Sequence, residues 1–328
     1  MKMRRVLSIS VPLLMLVAVA GLCFGSATLS FSRILSALTG GEDTAARLIL
    51  WQLRLPRVAA GLLAGVGLSV SGVLLQSVTA NELAGPNIIG INSGAGFAIL
   101  LMLTAFPAAG HWLPLGAFFG AFAAAMVILL IGSRMGSSRV GILLIGLSVT
   151  TILNAAISFL SLLDEGVLAQ YNHFTVGSLK AVRMEELPVP FAVIAAAFAV
   201  AMILSNRLGV LCLGDAAAAA LGIRVKRLRF AALVCAAACA AAVVSFAGLL
   251  GFVGLVVPHI ARRLVGQRPG RLLPAAALVG AVTVVLADLL GRTLFAPSEL
   301  PVGILMSLVG APYFLILLCR RKSHAEVL

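Results

Sequence analysis

Residues 206–229 read NRLGVLCLGDAAAAALGIRVKRLR, and the reading of this stretch decides the rest. Long apolar runs flank it on both sides, yet it holds Arg207, Arg224, Lys226, Arg227 and Arg229 against one acid, Asp215. Its middle, an acid followed by alanines and a leucine, predicts a short helix with Asp215 as N-cap and Gly222 as the stop. Such a helix is too short to cross a bilayer and lies between two segments that can, so it predicts a cytoplasmic platform for a partner protein. Apart from it and the stretch 164–188, no comparable length of chain looks non-membranous.

Composition agrees with that reading. The chain is 61% hydrophobic and 11% charged, with a mean hydropathy of +1.14, far above the apolar content of a soluble domain. It is expected to be an all-α polytopic membrane protein, one transmembrane domain over 1–328 with its cytoplasmic segment at 206–229. A net charge of +13 could suggest nucleic acid, but the basic residues fall in short clusters between apolar runs, without interleaved exposed aromatics. They read as topology signals, with the lipid bilayer as the partner.

A hydrocarbon core needs about 20 apolar residues per helix. Runs of that order occupy 6–24, 58–78, 113–133, 140–162, 189–205, 230–250, 272–290 and 302–319. Two shorter runs, 91–104 and 254–265, are counted as tilted or broken spans, which gives about ten transmembrane helices. With the N-terminus inside, this count puts Lys2, Arg4, Arg5, Arg134, Arg139, the cluster of 206–229, Arg262, Arg263, Arg268, Arg271, Arg320, Arg321 and Lys322 in the cytoplasm. Seven of the 24 basic residues remain outside, as the positive-inside rule favours. Both termini are then cytoplasmic. The opening KMRR and its apolar run resemble a secretory signal, but Leu22 stands where a lipoprotein signal has a small residue before its cysteine, so an uncleaved first helix is expected.

Small residues recur at four-residue spacing, in Gly61, Gly65 and Ser69, in Gly90 and Gly94, and in Gly116, Gly120 and Ala124. Such ridges let helices approach closely in lipid and predict a compact bundle. Cys23, Cys212, Cys235, Cys239 and Cys319 form no CxxC pair. Cys235 and Cys239 share a helix face, which suits core packing better than a soft metal.

No GxxxxGK[ST] phosphate loop occurs, so the chain does not hydrolyse ATP by that route. His111, His173, His259 and His324 have no ligand spacing, and no Ser/His/acid set lies in one aqueous pocket. No catalytic residue and no metal ligand is assigned. A secondary transporter would carry a midplane ion site and an inverted repeat, neither of which is apparent. Within the run 140–162, Ser148, Thr151, Asn154 and Ser158 follow at three- and four-residue steps and form a polar stripe on one face. The stripe serves either hydrogen bonding between helices or a water-filled translocation path. Asp288 and Arg292, four apart, have the polarity of a helical ion pair and belong near an interface. Arg54, Arg57 and Arg292 fall on the outer face, either anchored at headgroups or forming a cationic surface for an acidic partner.

Eight segments in order, LRLPR (53–57), SGVLLQ (71–76), NELAGPNIIGINSGA (81–95), GSL (177–179), LGDAAAAALGIRV (213–225), GFVGLVVPHIARR (251–263), ADLLGR (287–292) and ELPVGILMSLVGAPYF (299–314), resemble the FecCD-type permeases. These are the membrane subunits of binding-protein-dependent ABC importers for iron siderophores, haem and cobalamin. The resemblance covers nearly the whole chain. It implies the type II ABC importer architecture, a homodimer or a pair with a close paralogue, two separate ATPase subunits and an extracytoplasmic solute-binding protein, in the bacterial cytoplasmic membrane. ATP and Mg belong to the ATPase; no cofactor is expected in this chain.

By the same resemblance, Leu213, Gly214, Asp215, Ala219, Leu221 and Gly222 belong to the helix that fits into the ATPase. Arg54, Arg57 and Arg292 meet acidic residues of the binding protein. Pro258 is expected at a helix start, beside a His259 without an assigned role. Two departures stand out: Glu82 replaces the proline of the family's Asn-Pro-Leu-Ala, and Phe174 stands where a tryptophan often precedes the Gly-Ser pair. The expected cargo is a ferric siderophore, with haem or cobalamin as alternatives.

Overall fold

Each apolar run becomes a helix, because a chain in hydrocarbon must satisfy its backbone hydrogen bonds within the segment. The computed structural model describes residues 2–25, 32–33, 36–37, 43–86, 90–134, 139–163 and 165–325, and no strand occurs among them. Helix α1 spans Lys2–Cys23, and α2 (Thr44–Leu48) leads into α3 (Leu55–Thr79). Then follow α4 (Ile91–Ala105), α5 (Leu113–Arg134), α6 (Arg139–Ser161), α7 (Glu165–Val176) and α8 (Pro188–Leu211). The short α9 (Asp215–Ala220) precedes α10 (Val225–Ala247), α11 (Val253–Val265), α12 (Pro269–Thr293) and α13 (Val302–Ala325). Residues 87–89 of the quoted segment 81–95, and Asp164, lie outside the described residues.

Among the described residues, seven helices are long and apolar enough to cross a membrane, and Ile91–Ala105 and Val302–Leu317 are shorter apolar helices. Helix α11 is different: its 13 residues include Arg262 and Arg263 in the last turn. At 1.5 Å per residue it is about 20 Å long, short of a bilayer core. The expectation of ten spans therefore meets helices at all ten runs, but not ten of crossing length. The stretch 164–188, read as non-membranous, holds the helix α7.

Asp43 starts α2 by accepting from the Ala46 N–H at 3.0 Å. That bond and the Arg33 guanidinium hold its carboxyl below the usual carboxylate range. Between α2 and α3 the backbone over Ile49–Arg54 opens to a π-turn. Pro56 explains this, since it lacks an N–H and its ring displaces the carbonyl four residues earlier.

Helix α3 is the hub. It is buried from Val70 to Thr79 without interruption, and α12, α10, α11 and α8 all pack against it. Glycines mark seams where helix backbones come close. A Cβ on Gly65 would overlap the Gly280 carbonyl, and one on Gly280 would overlap Ser69 Oγ and the Gly65 carbonyl. On the α4–α5 seam, Gly94 and Gly120 face each other in the same way, with Ala124 and Ala98 beside them. Of the small-residue ridges expected from the sequence, Gly65 and Gly94 are places where helix backbones touch, while Gly61, Gly90 and Gly116 meet side chains of the neighbouring elements. Cys235 and Cys239 are both buried on α10 within the main core.

Two local expectations are corrected. Gly214, with φ 115°, occupies the N-cap of α9 and makes no side-chain cap; Asp215 is the first helical residue, because its carboxylate is taken by Arg229. Pro258 lies inside α11 and not at its start.

Gly280→Leu should overpack the α3–α12 seam and cost about 1–3 kcal/mol or more. Thermal unfolding of the detergent-solubilised chain checks this, with Gly110→Ala, whose Cβ meets nothing, expected to be neutral.

Candidate functional site

The turn between α8 and α10 is assembled from its glycines. Gly214 at φ 115° and Gly222 at φ 76° adopt backbone conformations that side chains resist, and a Cβ at either would meet open space. The Gly222 N–H donates to the Ala219 carbonyl at 2.9 Å and the Ile223 N–H to the Ala218 carbonyl at 3.0 Å, closing the C-terminus of α9. Ala218 is fully buried, while Leu213 and Leu221 are 74% and 67% exposed. Ala219 and the half-exposed Asp215 lie on the same outward surface. Arg229 Nη2 donates to both Asp215 oxygens, at 3.0 and 2.9 Å, tying α9 to α10. The carboxylate in the first turn also suits the helix dipole. The result is a small rigid knob with two bare leucines and an anchored acid.

At the far ends of α3 and α12 the charges expected on the outer surface are buried. Arg54, Arg57 and Arg292 are 4%, 8% and 2% exposed, and Asp288 is 3% exposed. Arg57 Nε donates to both Asp288 oxygens at 3.0 Å, and Arg57 Nη1 donates to Glu299 Oε2 at 2.8 Å. Arg292 Nε lies 3.6 Å from Asp288 Oδ2, as the four-residue spacing predicts. Arg292 Nη2 donates to the Gly21 carbonyl at 2.6 Å, and Arg54 Nη1 to those of Leu22 and Cys23 at 2.6 and 2.7 Å. These are the last carbonyls of α1, which no intrahelical donor can reach. The arginines therefore cap α1 and neutralise two acids instead of presenting an open cationic surface. Sequence reasoning missed this because Glu299, Asp288 and the α1 carbonyls are far from Arg57 in the chain.

The polar stripe is fully outward. Ser148, Thr151, Asn154 and Ser158 are all exposed on α6, alongside Leu147, Ile152 and Phe159. The hydroxyls donate to their own helix at about the same length, Ser148 to Leu144, Thr151 to Leu147 and Ser158 to Asn154, at 3.0, 2.9 and 3.0 Å. They are self-satisfied and make no bond to a neighbouring helix among the described residues.

At the C-terminal end of the hub, Glu82 finds a role. Its Oε1 lies 3.3 Å from Arg262 Nη1, while Arg262 Nη2 donates to Gln76 Oε1 at 2.8 Å. Asn81 Oδ1 accepts from the Leu83 N–H at 2.9 Å, so the turn is held by an Asn side chain where a proline would fix it otherwise. His259 packs edge-on to Tyr313 at 6.2 Å, and neither ring nitrogen has a hydrogen-bond partner among the described residues. Phe174 contributes its carbonyl, which accepts from Gly177 and Leu249 at 3.3 Å. No group of three or more metal-ligating side chains occurs among the described residues.

A sequence profile of the FecCD transport family matches residues 13–320. The chain is 36% identical over 307 residues to the Fe(3+)-citrate import system permease protein YfmE of Bacillus subtilis (strain 168), covering 93% of this chain and 92% of that protein. It is 35% identical over 320 residues to the hemin transport system permease protein HmuU of Yersinia pestis, covering 95% and 94%. Among solved structures it resembles one described as an inward-facing metal-chelate type ABC transporter, with a TM-score of 0.85 at 31% identity over 97% of this chain and 99% of that one.

Asp288→Ala leaves Arg57 and Arg292 buried without a counter-ion and should cost about 3–5 kcal/mol. Arg183→Gln, which breaks the exposed pair with Glu186 at 2.9 Å, should cost less than about 1 kcal/mol. Folded yield and melting temperature in detergent distinguish the two.

Proposed function

The chain belongs to the FecCD transport family and is a permease subunit of an ABC importer; on that premise we propose that it carries a ferric chelate of the siderophore class. ATP is hydrolysed by a separate subunit. The observation that carries the mechanistic reading is the knob of 213–222, an exposed, conformationally fixed helix joining the two spans Met184–Leu211 and Val225–Ala247. Two ATPase subunits, holding ATP and Mg, each seat one such knob through Leu213, Gly214, Asp215, Ala219, Leu221 and Gly222. Closure of the ATPases pushes α8 and α10, which are packed on the hub, so the push reaches the whole bundle.

Two copies of the chain stand side by side with the pathway between them. The support is α6, whose outward face mixes the stripe Ser148, Thr151, Asn154 and Ser158 with apolar residues, and α13, whose Leu308 and Val309 are 69% and 60% exposed. A face both apolar and polar suits a partner helix and a watered path better than lipid alone. An extracytoplasmic binding protein delivers the cargo from outside the cytoplasmic membrane, and both termini lie inside. Because Arg54, Arg57 and Arg292 are buried, its docking surface draws on exposed groups such as Lys180, whose side chain is 69% exposed.

Ferric citrate transport by a relative at 36% identity favours a ferric chelate; hemin transport by a relative at 35% keeps haem as the second reading. Replacing Asp215 by Lys or Gly222 by Val should lower uptake by about tenfold or more, since each breaks the fixed shape of the knob. Membrane insertion should be unchanged. Uptake of radiolabelled ferric siderophore by cells expressing equal amounts of each variant measures this, and wild-type uptake by both variants would remove the coupling role.

A further inference from the structure

Beyond cargo and coupling, the cytoplasmic ends of α8 and α10 enclose a cleft of ≈ 630 Å³ to which the proposed function assigns no ligand. Arg207 from α8, and Arg224 and Arg227 from the start of α10, converge on its rim. All three are exposed. None of them has an ion pair or hydrogen bond to another described residue, and the one acid of this stretch, Asp215, is held by Arg229. The floor is apolar: Leu204 comes from the last turns of α8, and Leu228 and Ala231 from the first turns of α10. These floor residues belong to the spans Met184–Leu211 and Val225–Ala247. The cleft is thus triply cationic at its cytoplasmic rim and greasy toward the membrane.

Three like charges held together without an acid repel one another, and an anion between them removes that cost. Guanidinium forks match phosphate oxygens in pairs. A soluble phosphate would use the rim and leave the apolar floor in water. A phosphodiester with acyl chains satisfies both parts. We propose that this cleft is a binding site for an anionic phospholipid of the cytoplasmic leaflet, its phosphate on Arg207, Arg224 and Arg227 and its first acyl carbons on Leu204, Leu228 and Ala231. Basic pockets between membrane helices on the cytoplasmic side have the chemistry for such headgroups. The cleft also touches Leu221 and Gly222, so an occupied site braces the knob from its membrane side.

The test uses the full-length chain assembled with its ATPase, purified in mild detergent and offered equal amounts of phosphatidylglycerol and phosphatidylcholine. Native mass spectrometry counts the lipid retained. Wild type should keep phosphatidylglycerol preferentially, and R207Q/R224Q/R227Q should keep about tenfold less. R268Q/R271Q removes cytoplasmic arginines from a separate cleft and should retain the wild-type level. L204W fills the apolar floor without changing charge and should also expel the lipid, which covers the case of a triple variant that folds poorly. Equal retention of the two lipids, or wild-type retention by both the triple variant and L204W, overturns the proposal. So does complete displacement by inorganic phosphate, which would mark a free-anion site. Loss of the ATPase from the triple variant with lipid retention unchanged would assign the arginines to the protein partner and equally overturn it.

Discussion

The backbone contact between Gly65 and Gly280 is the constraint on which the rest of the architecture depends. Two membrane helices gain no hydrophobic drive from each other in lipid, so their association rests on close packing over a long seam. Glycines at the crossing, with Ser69 beside them, remove the side chains that would hold α3 and α12 apart. The two helices run antiparallel, and Arg57 precedes Gly65 by eight residues as Asp288 follows Gly280 by eight. Closing the seam therefore brings Arg57 opposite Asp288, and their paired hydrogen bonds follow from the register.

From that seam the molecule grades outward from rigid to poorly packed. The buried charges at one end of the hub are paired with one another, and they hold the C-terminus of α1 through Arg54 and Arg292. The opposite end is held by Gln76, Glu82 and Arg262. Helix α6, by contrast, packs mainly on α4 and α5 and briefly on α7, and much of its face is open. A permease needs a core that transmits force and a face that rearranges. The hub supplies the first, and α6 with α13 has the sparse packing that the second requires.

Much of the fold was legible because bilayer thickness imposes a strong length rule. Every apolar run is a helix, and the four-residue ridges mark real seams. The knob was legible for a related reason: an acid, alanines and a glycine between two apolar runs can form only a short helical turn. What failed to show was partnership at long range. Arg54, Arg57 and Arg292 looked like an outer cationic surface because topology gives the side of the membrane and not the burial. Their acceptors come from Asp288, Glu299 and the end of α1, which no local pattern links to them. Asp215 looked like a cap because sequence cannot reveal that Arg229, a turn into α10, claims its carboxylate. The run 254–265 reads as a tilted or broken span, and α11 there has 13 residues with Arg262 and Arg263 in its last turn.

The central claim is that this chain supplies a pathway and a mechanical knob but no energy of its own. The most direct measurement is uptake of a ferric siderophore by proteoliposomes holding this chain with its ATPase, with the loaded binding protein outside and ATP inside. The account predicts accumulation only when ATP, ATPase and binding protein are all present, and none from a proton or sodium gradient alone. Accumulation driven by an ion gradient in liposomes lacking the ATPase would contradict it.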